Sequence, residues 1–376
     1  MLLGLALDAW SGADVKLPLE RVQLAERLGY DSVWTAEAYG ADALTPLAFL
    51  AASTTRIKLA TGVVQISART PAATAMAFAT LESLAGTGRV IAGLGLSGPQ
   101  IVEGWYGQPW AKPIPRTRDY VAIMRKIFRR EGPVAYEGRA ISLPYAGADA
   151  TGLGKPLRSI LHPNPALPIY LAAGGPENVA LAAEVADGWI PMGLSPANAR
   201  GFRATLETGA ARSGRDLGAL AIQASTTVHL TDDVAGTIAR MKPRVALYVG
   251  GMGARDKNFH KDSMVRRGYP DAADRVQELF LAGRRDDATD AVPDEYVDEG
   301  ALLGSPDRIA KRFVPWTECG ITGLTIHADQ DEAIELMADL ARTPERQRRR
   351  EAEAGQQRVP MDLSVERERP VNRSTS

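Results

Sequence analysis

Four short stretches place residues capable of chemistry where a strand gives way to a helix or loop. In Ile169-Tyr170-Leu171-Ala172-Ala173 an apolar strand ends on Gly174-Gly175, and Pro176 opens a helix that continues through Val179, Ala182 and Val185. Such a junction offers unshielded main-chain N–H groups and the positive end of the helix dipole to an anion such as a phosphate. The donors would lie between Ala173 and Asn178. Glu177 in the first turn would repel a phosphate, so a plain strand–helix junction is the equal alternative. Glu37, after Ser32-Val33-Trp34-Thr35, and Asp8, after the first apolar run, are carboxylates at strand ends. Each is either a proton-transfer group or a solvated loop residue. In Thr61-Gly62-Val63-Val64-Gln65 the glycine permits a close approach beside a flat ring, or simply a strand bulge. Gly93-Leu94-Gly95-Leu96-Ser97-Gly98 matches the G-x-G-x-x-G dinucleotide fingerprint. Its context fails: Pro99 follows at once, no helix clearly opens at the third glycine, and Asp119 falls inside a helical pattern. A glycine-rich strand end approached closely by a ligand or another backbone is the bland reading.

These stretches need a frame of strands and helices. Nearly continuous apolar runs, expected of parallel strands covered on both faces, span Leu2–Leu7, Ser32–Thr35, Ile57–Val64, Val90–Leu96, Ile169–Ala173, Trp189–Met192, Ile222–Leu230 and Ile321–His327. Between them, Pro18 opens a helix with Val22, Ala25 and Leu28 on one side, and Gly29 ends it. Thr70-Pro71 starts another that runs to Gly86, and Arg116 to Arg130 is amphipathic. Ser305-Pro306-Asp307 caps a helix carrying Ile309, Phe313 and Trp316, which Pro315 should bend or end early. Eight strands alternating with helices mean a doubly wound sheet or a closed barrel, and the count favours the barrel. Residues 132–167, rich in Pro and Gly, and 250–304, polar with a helix-like piece around Arg275 to Leu281, are excursions of the kind that form lids. Residues 343–376 are charged and lack apolar periodicity, as a disordered tail does. Arg346, Arg348, Arg349 and Arg350 there form a solvated charge run.

Composition narrows the function classes. The 376 residues are 45% hydrophobic and 24% charged with a net charge of −1, which gives no electrostatic reason for a nucleic-acid or membrane partner. The single cysteine, Cys319, excludes an intrachain disulfide or Cys-rich metal site, and histidines 162, 229, 260 and 327 show no metal-ligand spacing. Asp8 cuts the first apolar run too short for a signal peptide, and no run approaches a membrane span, so a cytoplasmic protein is expected.

Taken together the stretches resemble the bacterial luciferase-like superfamily, and within it the coenzyme F420-dependent (deazaflavin) oxidoreductases. The resemblance covers most of residues 2–342. It rests on Tyr30 to Glu37; on Thr61 to Gln65 with Arg69-Thr70-Pro71 and Thr80 to Leu84; on Gly88-Arg89 through Gly95; and on Ala172 to Pro176 with Ala186-Asp187-Gly188-Trp189. It implies one (β/α)8 TIM barrel over 1–342 with insertions around 132–167 and 250–304. It further implies a homodimer and a tricyclic ring at the C-terminal mouth. The cofactor's phosphate would be held by main-chain amides of Ala173, Gly174 and Gly175, with Asn178 beside them. A non-prolyl cis peptide at Gly62-Val63, with Gln65 next to it, would buttress the ring. Deazaflavin sugar-phosphate dehydrogenases carry histidine where this chain has Glu37, and glutamate where it has Gly98-Pro99. They also carry basic residues that Met192 to Pro196 lacks, so a sugar phosphate is rejected as substrate.

The resulting expectation is hydride transfer between F420 and a small organic molecule with a C=C, C=O or C=N group, with Glu37 handling the proton. Asp8, Gln100, Glu103, Tyr248 and His260 would contact the substrate, with Met252 and Phe259 helping to cover it. His260 reads more as a loop histidine than a catalyst. The rivals are an FMN monooxygenase on the same barrel, a non-catalytic cofactor-binding protein, and a nicotinamide dehydrogenase built on Gly93 to Gly98.

Overall fold

A computed structural model describes residues 1–7 and 13–342 of the chain. Asp8 and the charged tail at 343–376 lie outside the described residues.

Eight parallel strands close on themselves: β1 (Leu2–Ala6), β2 (Ser32–Thr35), β3 (Lys58–Thr61), β4 (Val90–Gly95), β5 (Ile169–Ala173), β6 (Gly188–Pro191), β7 (Ala221–Leu230) and β8 (Gly323–His327). The first and last strands pair in register Leu2↔Gly323, and the β6–β7 seam closes through Ala221↔Gly188. This is a TIM barrel, and every strand begins within two residues of its sequence expectation. The third differs at its far end, where a separate two-residue strand, Val64–Gln65, pairs with β4 after an interruption at Gly62–Val63.

Side chains rather than solvent fill the barrel axis. Trp34, Ala60 and Ile91 are buried there with Tyr170 and Ile190 packed against them, Trp34 and Tyr170 lying 6.2 Å apart. The main core, including Leu5, Val33, Leu59, Phe78, Leu94 and Trp189, lies between the strands and the outer helices. Burial of each such large apolar side chain contributes about 1.5–3 kcal/mol.

The helix signals behave as their chemistry requires. Thr70 accepts from Ala73 N–H at the start of Pro71–Ala85, and Gly29 adopts the left-handed conformation after Leu19–Leu28. Pro315 does not end its helix, which runs from Pro306 to Glu318. Proline leaves the carbonyl four residues back without its donor, here that of Lys311, and both residues are exposed, so water satisfies it. The second excursion is also more regular than its polarity suggests. It leaves the barrel already at Val234 and forms five helices, Val234–Gly251, Phe259–Arg266, Pro270–Leu281, Arg285–Asp290 and Asp294–Glu299, around their own apolar cluster. Ala301–Gly304 then returns beside the end of β7. No described helix is long and apolar enough to cross a membrane.

Candidate active site

The C-terminal ends of β2 to β7 and the helical excursion enclose a cavity of about 560 Å³. Barrel geometry brings strand-end residues distant in sequence to one mouth. Glu37, Gly62, Val63, Gln65, Gln100, Ala173, Gly174, Gly175, Asn178, Tyr248 and His260 all line it. Glu103 does not: it is exposed, and its Oε1 accepts from Trp110 N–H at 3.2 Å. Met252 and Phe259 line the cavity from the excursion, with Tyr39, Ser97 and Met192 from the barrel side.

One wall is built around Glu37. Its Oε1 accepts from Gln65 N–H at 2.9 Å and from Arg69 Nη1 at 2.6 Å, while among the described residues Oε2 receives only Ala43 N–H at 3.3 Å. Main-chain contacts repeat the link, since Glu37 N–H donates to Val63 O and the Gln65 amide donates to Glu37 O. Burial alone would weaken the charge on Arg69, but the hydrogen bond and charge of Glu37, with Asp42 behind, hold its pKa above the ordinary value. Tyr120 supports Arg69 from behind by donating to its carbonyl at 3.1 Å, and burial pushes the Tyr120 phenol up to about 12. Nothing local in the sequence gives Arg69 a role. It lies 32 residues from Glu37, so no local spacing signals the pair.

The neighbouring peptide Gly62–Val63 is cis. The glycines of the G-x-G-x-x-G stretch explain how β4 fits beside it. A Cβ on Gly93 would lie 1.7 Å from Thr61 O, and one on Gly95 would lie 2.4 Å from Val63 Cγ2. Gly93 therefore serves the close approach of another backbone, and Gly95 makes room for the Val63 side chain. Against the sequence expectation, a short helix does open at the third glycine, Pro99–Gly104 with Gly98 as N-cap. Proline fits the first helical position, where no intrahelical donor is needed.

Across the mouth, helix Pro176–Val185 starts at Gly175 with no side chain capping it. Its first-turn N–H groups therefore lack intrahelical partners. Glu177 is exposed and is not among the residues lining the cavity, which removes the repulsion that counted against an anion here. A Cβ on Gly175 would meet nothing within 4 Å, so the backbone faces open space. Gln65 Oε1 is buried and lacks a hydrogen-bond partner among the described residues. An open anion cradle and an unpaired acceptor on one cavity fit a ligand that carries both an anionic arm and N–H donors.

His260 is not in an unstructured loop. It sits in the first turn of Phe259–Arg266, capped by Asn258, and packs edge-to-face on Tyr248 with centroids 4.6 Å apart. Burial pushes its imidazole down to about 4. Between pH 6.5 and 4 the unfolded chain therefore binds a proton there that the native one does not. The stability this histidine contributes is complete above about pH 6.5 and is lost as pH falls towards 4. His260→Phe, which keeps the ring contact, should flatten the fall of Tm between pH 6.5 and 4; parallel Tm–pH curves would show that His260 is not the group responsible.

The luciferase-like monooxygenase family profile matches residues 8–323. The "Putative coenzyme F420-dependent oxidoreductase Rv3520c" of Mycobacterium tuberculosis is 47% identical over 343 residues, 90% of this chain and 99% of that protein. The 5,10-methylenetetrahydromethanopterin reductase of Archaeoglobus fulgidus is 30% identical over 327 residues, 84% and 92% of the two chains. In fold, the coenzyme F420-dependent tetrahydromethanopterin reductase of Methanopyrus kandleri superposes with a TM-score of 0.71 at 24% identity, covering 90% of this chain and 97% of that one. The profile match and the 47% identity place the chain in the luciferase-like monooxygenase family.

Proposed function

We propose that this protein is a coenzyme F420-dependent oxidoreductase acting on a small organic substrate that is not a sugar phosphate. The observation that carries the reading is the meeting of two features in one cavity: the open cradle at Gly174–Gly175 and Gln65 Oε1, which lacks a partner among the described residues. The relatives named for F420 chemistry support the choice of cofactor. Main-chain N–H groups of Gly174, Gly175, Glu177 and Asn178 would hold the phosphate of the cofactor arm. Gln65 Oε1 would accept from a ring N–H, and Val63 and Ile190 would pack against the ring. When bound, a deazaflavin supplies or accepts a hydride at its ring carbon.

The chain's own part is to orient the substrate, exclude water and manage the proton. Glu37 Oε1 is committed to Arg69 and Gln65, which fixes the carboxylate, while Oε2 has accepting capacity left and the residue faces the cavity. We assign the proton to Oε2. Tyr248, Met252 and His260 form the cover under which water is excluded. Parallel titrations of the protein with F420 and FMN test the cofactor; tighter binding of FMN, with oxygen consumption by the reduced form, would overturn the F420 reading. Glu37→Gln keeps an acceptor for Gln65 N–H and should lower turnover by about 10²–10⁴-fold. Its F420 dissociation constant should stay near that of the parent, and undiminished turnover would remove Glu37 from proton transfer.

We further propose a cytoplasmic homodimer. Phe49 on Leu44–Ala51 and Met76 and Leu84 on Pro71–Ala85 are large exposed apolar side chains on two helices that pack together, which supports a second copy of the chain as the partner.

A further inference from the structure

A second cavity, of about 580 Å³, opens beside the first over the ends of β7 and β8, and Tyr248 lines both. Strand alternation sets its floor. Gln223 and Thr325 hydrogen-bond to each other in the barrel interior, so Ser225, Thr227 and His229 on β7, and His327 on β8, rise along the same inner face. Arg240 and Arg244 come from helix Val234–Gly251 four residues apart, and therefore share one helix face. Among the described residues Asp329 is the one carboxylate lining this cavity, and its Oδ1 lies 3.3 Å from His229 Nδ1. Arg240 also donates to Thr237 Oγ1 at 2.9 Å, which orients its guanidinium. Between these polar groups the lining is apolar, with Val228, Met241, Val245 and Val249.

Exposed arginines on a helix are ordinarily just solvated. Here two guanidiniums and two imidazoles converge on an apolar-lined hollow that shares a wall with the proposed reaction site. We propose that this cavity is a substrate subsite for the oxyanion of an organic acid with an apolar body, held by Arg240 and Arg244 beside His229 and His327. Guanidinium recognises carboxylate and phosphate ester alike through paired N–H donors. The assignment rests on the F420 reading only in calling the ligand a substrate; the site itself stands apart from the cofactor.

Histidine NMR tests this without cofactor or turnover. The chain has four histidines, so their ring resonances can be assigned by single His→Gln replacements. Hexanoate should shift the His229 and His327 resonances saturably and leave His162 unmoved, while 1-hexanol should move none of them. Hexyl phosphate run in parallel identifies the oxyanion, the tighter of the two acids naming the natural group. The Arg240→Gln/Arg244→Gln double variant should weaken binding of the tighter acid at least tenfold. Both residues are exposed, and an unchanged His260 resonance checks that the helical cover is intact. No saturable shift with either acid, equal shifts with hexanol, or full binding by the double variant would overturn the proposal. Failure of the cofactor reading would appear instead in the F420 titration, which this experiment does not use.

Discussion

Alanine at position 93 should cost the protein more than about 3 kcal/mol, above the usual range for overpacking a core. The added Cβ would fall 1.7 Å from the carbonyl oxygen of Thr61, a main-chain atom at the end of β3. That atom cannot rotate away, and Thr61 is further tied to Gly93 by its hydroxyl, which donates to Gly93 O and accepts from Gly93 N–H. Relief therefore requires β3 and β4 to separate inside a closed barrel. For a domain of this size we expect Tm to drop by roughly 5 °C or more, or the protein to be recovered unfolded. Gly95→Ala is a graded case. Its clash is with the Val63 side chain at 2.4 Å, so damage should centre on the cavity wall and weaken cofactor binding more than stability. Gly98→Ala meets only Gln100 Oε1, the far end of a flexible side chain, at 2.9 Å and should be nearly neutral. A dinucleotide fingerprint would instead make the third glycine as important as the first. Thermal melts of the three variants decide between these, and a Gly93→Ala protein as stable as its parent would refute the packing account.

The same contacts show where a sequence stops speaking. Barrel strands such as Leu59–Ala60 and Val90–Gly95 are covered on both faces, so their apolar runs are uninterrupted and legible. Thr70-Pro71 and Ser305-Pro306 are legible because a cap is a local hydrogen bond within three residues. The excursion after β7 was only partly readable. Its apolar residues, among them Val249, Met264, Val276 and Leu279, are divided among five helices, of which Phe259–Arg266, Arg285–Asp290 and Asp294–Glu299 are too short to set a clear period, while the longest, Val234–Gly251, has Pro243 inside it. The site divides in the same way. Gly174-Gly175-Pro176 declares its geometry locally, and Glu37 stands out as a carboxylate closing an apolar strand. The reason Glu37 is rigid is Arg69, a contact made by folding. Orientation is equally invisible: residue type places Glu177 in the first turn, but only the packed helix shows that it faces solvent.

That orientation leads to the second large effect. Gly175→Leu should leave the fold intact and lower F420 affinity by roughly 100- to 1000-fold, the equivalent of losing two charge-assisted hydrogen bonds at about 1.5–2 kcal/mol each. Gly175 has φ −85° and ψ 153°, an extended conformation that leucine adopts without strain. Its Cβ would enter space with no atom within 4 Å, so no core contact is disturbed and loss of the cap position costs less than about 1 kcal/mol. The side chain would instead occupy the approach to the first-turn amides, which is where an anionic arm must sit if the helix start binds it. Gly174 is a poorer probe, because a Cβ there lies 3.1 Å from Met192 Cβ and would confound packing with binding. Glu177→Gln supplies the electrostatic control: because the carboxylate is exposed, its removal should change affinity by less than about threefold at physiological salt. Fluorescence titration of the parent and both variants with F420, alongside their melting curves, separates the cases. A folded Gly175→Leu protein that binds F420 as the parent does would mean that the arm is held elsewhere on the rim. The cavity would then need another source of positive potential, and the described lining offers Lys257 as the alternative to test.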